Sequence, residues 1–395
     1  MSKFNPGIIA LSIGAFGIGV TEFAPMGLLP VIAADLGVSI PSAGLLISAY
    51  ALGVMIGAPL MTLTTGRIPR RTLLIGLAAI FTLGNLLAAI SGSYGMLLAA
   101  RILTSFNHGA FFGVGSIVAA SLVPPNRQAG AVAAMFMGLT IANIVGVPLA
   151  TWAGEHAGWR ASFWGIAGLG VATMAALRLT LPALPVTTSG NALAELRVLT
   201  RPVVLGALAL TVVGSSAMFT VCTYIVPILR DVTHASLGFV TAMLVTYGAG
   251  LTVGNWLGGR FADRSVDLTL AVTLAGLTAI LLLFAMLMPY AVPSAVLIFL
   301  WGVASFALVP PLQVRVMSAA AEAPNLASAV NIGAFNLGNA FGAALGGGVI
   351  ASGMGLPAVA VAGAVTSAAG LVAVLLAIRN ERHRNGGFAE TCTQP

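Results

Sequence analysis

Twelve long apolar stretches follow one another along this chain, near residues 7–34, 41–65, 71–91, 94–122, 127–154, 159–181, 202–230, 235–260, 267–289, 293–317, 324–351 and 356–379. Each supplies the roughly 20 mostly apolar residues that a helix needs to cross the hydrocarbon core of a bilayer. Charge, proline or polar residues mark every break. Charged residues are only 7% of the 395 positions and hydrophobic ones are 58%, whereas roughly a quarter of an ordinary soluble domain is charged. No water-soluble fold hides so much apolar surface behind so few charges, so lipid is the solvent for most of the chain. The 48 glycines fit the same picture, because small residues let membrane helices approach closely. The first apolar stretch is too long for a signal-peptide core and reads as a retained helix. The expected fold class is an all-α membrane protein with twelve transmembrane helices.

Charge sets the expected orientation. Of 17 basic residues, 14 fall on the side of the two chain ends, from Lys3, Arg67, Arg70 and Arg71 through to Arg379, Arg382 and Arg384. Arg160 and Arg230 lie on the other side, and Arg101 lies within a helix. Basic loops stay in the cytoplasm, so both termini are expected there. The net charge of +7 therefore reflects membrane topology rather than a nucleic-acid partner.

The longest polar stretch sits mid-chain, with Thr187, Thr188, Ser189, Gly190 and Asn191 in succession. It divides the chain into a six-helix bundle over 1–181, a cytoplasmic linker over 182–201, a second bundle over 202–379 and a tail over 380–395 that is expected to be disordered. Adding 197 to the number maps Pro30 to Pro227, Tyr50 to Tyr247, Gly53 to Gly250, Gly57 to Gly254 and Arg67 to Arg264. Five matches in one register point to two parallel repeats related by a pseudo-twofold axis. Such repeats normally hold a solute site between them near the bilayer midplane and work by alternating access.

Other chemistries lack their parts. The only lysine is Lys3, so no phosphate-cradling loop ending in lysine exists and an ATP-driven pump is excluded. Cys222 and Cys392 offer neither a disulfide framework nor metal-ligand spacing. Of the four histidines only His108 is mid-membrane, and no acid pairs with another there, so a membrane enzyme is not expected. A receptor without turnover usually carries an added soluble sensor domain, which this chain lacks. Energy must come from an ion gradient or the solute's own gradient, with no cofactor.

Glu22 carries the sharpest chemistry. The other nine acids fall in loops, tails or helix ends, whereas Glu22 lies mid-helix in the first span. A carboxylate there is costly unless it faces a water-filled cavity or is protonated, which suits reversible proton binding; the alternative is a packing Glu hydrogen-bonded to a neighbouring helix. Arg101 and His108 are seven residues apart and share one face of the fourth helix. His108 could join a proton relay or form an interhelical hydrogen bond.

Four segments carry a family resemblance. They are Thr21-Glu22-Phe23-Ala24-Pro25-Met26-Gly27-Leu28-Leu29-Pro30, followed by Asp35-Leu36-Gly37-Val38-Ser39; the loop Gly66-Arg67-Ile68-Pro69-Arg70-Arg71 with its repeat Gly259-Arg260-Phe261-Ala262-Asp263-Arg264; Arg101 with Asn107-His108-Gly109-Ala110-Phe111-Phe112-Gly113; and Gly146-Val147-Pro148-Leu149 with Gly158-Trp159-Arg160 and Phe163-Trp164. Together they resemble the major facilitator superfamily, its twelve-helix drug:proton antiporter branch, and within that the arabinose-efflux-permease-like group of sugar, nucleoside and chloramphenicol exporters. The resemblance spans the chain up to about Arg379.

It implies a monomeric, multi-pass protein of the bacterial inner membrane that exchanges protons for a small neutral or amphiphilic solute; uptake by symport or facilitated diffusion is the alternative. Arg101 matches the family's helix 4 arginine, implicated in proton transfer, so Glu22, Arg101 and His108 form the expected proton-coupling set. Family architecture nominates Phe23, Met26, Asn143, Phe219, Tyr224, Tyr247, Asn255, Trp301, Asn331, Asn336 and Asn339 as cavity residues, with Tyr224 and Phe23 foremost. Arg67, Arg70, Arg71, Gly259, Asp263 and Arg264 are the expected conformational lock. Gly66 stands where the family's first loop has an Asp, which shifts the expected lock to the copy that holds Asp263. Gly146 and Pro148 break the regularity of helix 5, an element that seals the halves together in antiporters.

Overall fold

A computed structural model describes residues 5–65, 68–124, 128–183, 197–262, 264–322 and 324–391. Hydrocarbon offers the backbone no hydrogen-bond partner, so each segment satisfies its own amides by coiling into a helix. Among the described residues, twelve helices are long and apolar enough to cross a membrane. The first six are α1 Pro6–Leu36, α2 Ile40–Thr65, α3 Arg70–Ala89, α4 Tyr94–Ser121, α5 in two segments Gln128–Ile141 and Val147–Ala157, and α6 Trp159–Thr180. The second six are α7 in segments Pro202–Cys222 and Ile225–Asp231, α8 Leu237–Ala262, α9 Val266–Leu287, α10 in segments Ala291–Ala307 and Val309–Ala319, α11 Pro324–Ala351 and α12 Leu356–Thr391. Arg67 and Asp263 of the expected lock, and most of the expected linker, lie outside the described residues.

Local chemistry sets the ends. Asn5 caps α1 by accepting from the Gly7 N–H, Pro6 occupies the first turn, and Gly37 stops the helix at φ 61°, a left-handed value natural for glycine. Ser93 and Ser265 cap α4 and α9 in the same way. Residues 392–395 of the expected tail lie outside the described residues; the helical geometry of α12 continues past Arg379 to Thr391. Its polar run Asn380-Glu381-Arg382-His383-Arg384 holds no proline to stop the helix.

The two halves repeat one packing scheme. In the first, α1 packs on α5 and α6, α3 on α4 and α6, and α2 on α4; six helices later, α7 packs on α11 and α12, α9 on α10 and α12, and α8 on α10. One buried apolar cluster runs from Ala10 to Leu181 within the first half. Another fills the second half but also takes in Phe23, Met26, Leu29, Ala43 and Ile47, so the halves fuse around α1 and α2. Seams between them run along α2 and α11, where the Ser48 hydroxyl donates to the Ala340 carbonyl at 3.1 Å, and where α5 meets α8.

Proline explains the interruptions. Pro148 cannot donate to the carbonyl of Ile144, and the turn before it widens into a π-helix over Ala142–Gly146, with the Val147 N–H reaching back to the Ala142 carbonyl. The expected irregularity of helix 5 is therefore a π turn. In α10 the break at Leu308 precedes Pro310 and Pro311. In α7, Thr223 and Tyr224 leave the helix just ahead of Pro227.

Candidate functional site

A cavity of about 250 Å³ lies between the halves, walled by α1, α4, α5, α7, α8, α10 and α11. Its wall follows the parts of these helices nearer the face that carries the chain ends, such as Gly248 to Asn255 on α8 and Asn331 to Asn336 on α11. Glu22 and His108 are the titratable side chains among the described residues lining it.

Glu22 is 7% exposed and its carboxylate stands 3.9 Å from His108 Nε2. His108 Nδ1 lies 3.1 Å from the Tyr50 hydroxyl. An imidazole facing a carboxylate favours the tautomer with its proton on Nε2, so Nδ1 accepts from the Tyr50 O–H. The Tyr50 ring covers Arg101, whose guanidinium carbon sits 4.1 Å from the ring centre, a cation–π geometry.

Arg101 is held by the motif around Glu22. Pro25 has no N–H, so the carbonyl four residues earlier, that of Thr21, loses its partner within α1. Arg101 Nη1 donates to that carbonyl at 2.6 Å. The Thr21 hydroxyl donates to Asn85 Oδ1 at 2.7 Å, and Asn85 Nδ2 donates to the Phe81 carbonyl at 2.8 Å. Arg101 is 1% exposed and lies behind the wall, beside the acid. The cluster can bind and release a proton at Glu22 beside the His108 imidazole and hold compensating positive charge nearby.

The expected cavity residues divide. Phe23, Asn143, Asn255, Asn331 and Asn336 line the cavity. Met26 and Tyr247 line a smaller adjoining pocket with Phe23 and Asn143. Phe219, Tyr224, Trp301 and Asn339 are buried elsewhere, which corrects the expectation for all four. Phe219 stacks on Phe23 with centroids 6.0 Å apart, and the Trp301 ring is covered by Tyr247 at 4.3 Å. The Tyr224 hydroxyl donates to the Ala343 carbonyl at 2.8 Å, and its ring packs against Gly44, Gly346 and Gly347. It is a rivet between α2, α7 and α11.

Among the described lock residues, Arg71 Nη2 donates to the Arg178 carbonyl, tying α3 to α6. Arg70 is half-buried and Arg264 exposed, and Gly259 has open space where a Cβ would be. Gly146 is buried against Val20 and Phe16 of α1, and Pro148 is buried beside it.

Sequence reading missed the charged seal on the opposite face. Arg230, at the end of α7, pairs with Glu155, at the end of α5, joining the two halves. Cys222 Sγ meets Met26 Sδ at 3.6 Å just beneath. Two ion pairs cross the helices of the second half on the chain-end face: Arg315 with Asp267, and Arg201 with Glu322, the latter at 2.8 Å through both carboxylate oxygens. Within the first half, Arg160 and Trp159 both donate to Asp35, at 2.7 and 3.0 Å. Tyr50, too, was visible only as a repeat marker.

Comparison with known proteins places this architecture. Residues 11–333 match the family model described as Major Facilitator Superfamily. The chain is 57% identical over 379 residues to the inner membrane transport protein YdhP of Escherichia coli K12, covering 96% of this chain and 97% of the relative. It is 34% identical to the chloramphenicol resistance protein of Streptomyces lividans, covering 84% and 86%. The crystal structure of a D-xylose-proton symporter superposes with a TM-score of 0.73 at 16% identity, covering 93% of this chain and 96% of that one.

Proposed function

This chain belongs to the Major Facilitator Superfamily, and on that premise we propose that it is a proton-coupled antiporter exporting a small neutral or amphiphilic solute across a bacterial inner membrane. The observation that carries the reading is Glu22: a buried carboxylate on the wall of the central cavity, within 3.9 Å of His108 and braced by the Arg101 network. Energy follows from chemistry, because a group that takes up and loses a proton in a chamber shared with solute lets each displace the other. The basic loops on the chain-end face support its being cytoplasmic. A relative named for chloramphenicol resistance supports export of an uncharged amphiphile.

The cycle starts from the arrangement described above, held by Arg230–Glu155 and Tyr224 on one face, with the cavity wall on the half of the helices nearer the chain-end face. Solute enters from the cytoplasm and the Glu22 proton leaves. The halves rock about the α2–α11 seam, the far face parts, and a proton from outside neutralises Glu22 as solute departs. The protonated carrier then returns.

Everted membrane vesicles with an acidic interior test this. Adding chloramphenicol, uridine or arabinose in turn should collapse the pH gradient through the wild type for the solute carried. Glu22→Gln should still bind that solute yet lose coupled transport by about 100-fold or more. Full gradient collapse by Glu22→Gln, or solute moving only inward with protons, would overturn the proposal.

A further inference from the structure

The two sides of the cavity differ in kind. The polar side chains that the second half contributes among the described lining residues are all uncharged: Thr211, Thr252, Asn255, Gln313, Asn331 and Asn336. Two of these amides are engaged through nitrogen. Asn331 Nδ2 donates to Gln313 Oε1 at 2.6 Å, and Asn336 Nδ2 donates to the Ile332 carbonyl at 2.9 Å. With their amino groups engaged, the Oδ1 atoms of both residues are left as acceptors without a hydrogen-bond partner. The two side chains are 5% and 2% exposed and belong to the cavity wall. A buried acceptor without a donor is disfavoured; turning either amide about its broad χ2 torsion brings Oδ1 to the chamber in exchange for the local Nδ2 hydrogen bond. The first half answers with an aromatic surface, Phe112 stacked on Phe136 at 5.0 Å and 17°.

We propose that Asn331 and Asn336 are the specificity-determining acceptors for the solute, and that the solute is an uncharged molecule bearing hydroxyl groups well separated along one edge, as positions five apart on a helix require, and an apolar face on the other. The hydroxyls donate to the two Oδ1 atoms, and the apolar face lies on Phe112 and Phe136. A cation is disfavoured because the one carboxylate on the wall is occupied with proton exchange, and an anion because no Arg or Lys lines the cavity among the described residues. This assignment rests on the reading of the cavity as the transport site. A site that accepts from a hydroxyl rejects an analogue lacking it far more strongly than an apolar pocket rejects a change of shape.

The test is binding to the purified full chain in nanodiscs, followed by thermal shift and titration. The probes are arabinose, uridine and chloramphenicol, their O-methylated counterparts, the cation tetraphenylphosphonium and the anion benzoate. The expected result is that a hydroxylated probe binds, that its O-methylated form binds about tenfold or more weakly, and that Asn336→Leu costs a similar factor. The unfolding midpoint of empty Asn336→Leu should hold or rise, because the side chain's bond is local and its oxygen unpaired. If Asn336→Leu fails to fold, Asn331→Leu and the O-methylated probes decide. Silence from every hydroxylated probe, indifference to O-methylation, or binding confined to the charged probes overturns the proposal. The two readings fail separately. Binding that follows this pattern without pH-gradient collapse removes proton coupling alone, and gradient collapse driven only by tetraphenylphosphonium removes the hydroxyl assignment alone.

Discussion

Tyr50 and Tyr247 occupy the same register in the two halves, and what each touches separates the halves chemically. Tyr50 covers a guanidinium and bonds a histidine. Tyr247 covers the indole of Trp301, and its hydroxyl lies beside the neutral side chains of Cys222 and Ser305. The frame behind them is shared, since α2 packs on α4 as α8 packs on α10. Even so the spacing differs. A Cβ on Gly254 would fall 2.1 Å from the Val303 carbonyl oxygen, whereas on Gly57 the nearest atom is the Phe106 ring at 2.8 Å. One half keeps its helices backbone to backbone and its chemistry neutral, while the other leaves room between α2 and α4 for side chains that can carry charge. A duplicated scaffold thus keeps ionisable side chains in one copy and neutral ones in the other, the division on which the proposed cycle draws.

The largest expected effect bears on that spacing. Gly254→Ala must push α8 from α10 against main chain and should cost about 1–3 kcal/mol of stability, with Gly57→Ala costing less than half as much because a ring can yield. Equal losses in chemical unfolding of the two variants would break the comparison. Next comes the tyrosine pair. Removing a hydrogen bond of about 1 kcal/mol, Tyr50→Phe should lower coupled transport about fivefold and alter its pH profile, while Tyr247→Phe leaves both near wild type. A pH profile changed by Tyr247→Phe instead would reverse the assignment of the halves.

The seal between the halves should respond more modestly. Arg230–Glu155 is partly exposed, at 31% and 13% of the side chains, so its loss is worth about 1 kcal/mol or less. In a Cys392→Ser background, Glu155→Gln should raise labelling of Cys222 by an impermeant thiol reagent from outside by up to about fivefold. The exchanged pair Glu155→Arg with Arg230→Glu should bring it back; unchanged labelling in the single variant would show that the pair is not the seal. The smallest effect belongs to Arg201–Glu322. Hydrogen bonds from Arg201 hold the Glu322 carboxyl below its ordinary value. That contribution is present above the ordinary glutamate range and fades as pH falls through the lowered value. Glu322→Gln should therefore lower the thermal midpoint slightly at pH 7 and by progressively less as the pH is taken down through the acid range. A difference that grows as the pH falls would contradict the sign.

Much of this was legible in the residues. A lone acid in an apolar run has few places to go, and Glu22 does face the cavity, as do the amides Asn143, Asn255, Asn331 and Asn336. What a helical sequence reports is polarity against lipid; it does not report which neighbour a side chain meets. Tyr224 is polar and lies next to a proline, yet its ring fits between glycines of α2 and α11 that lie far away in sequence. Glu155 and Arg230 each read as a charge at a helix end, and only the folded chain brings them together across 75 positions.

The π turn over Ala142–Gly146 also sets which way its helix looks further out. Were that stretch to tighten into plain α-helix, Val147–Ala157 would rotate by about 100° and shift by about 1.5 Å, one residue's share of the screw. Glu155 would swing off Arg230, so a change of winding near the chamber would unlatch the distant rim.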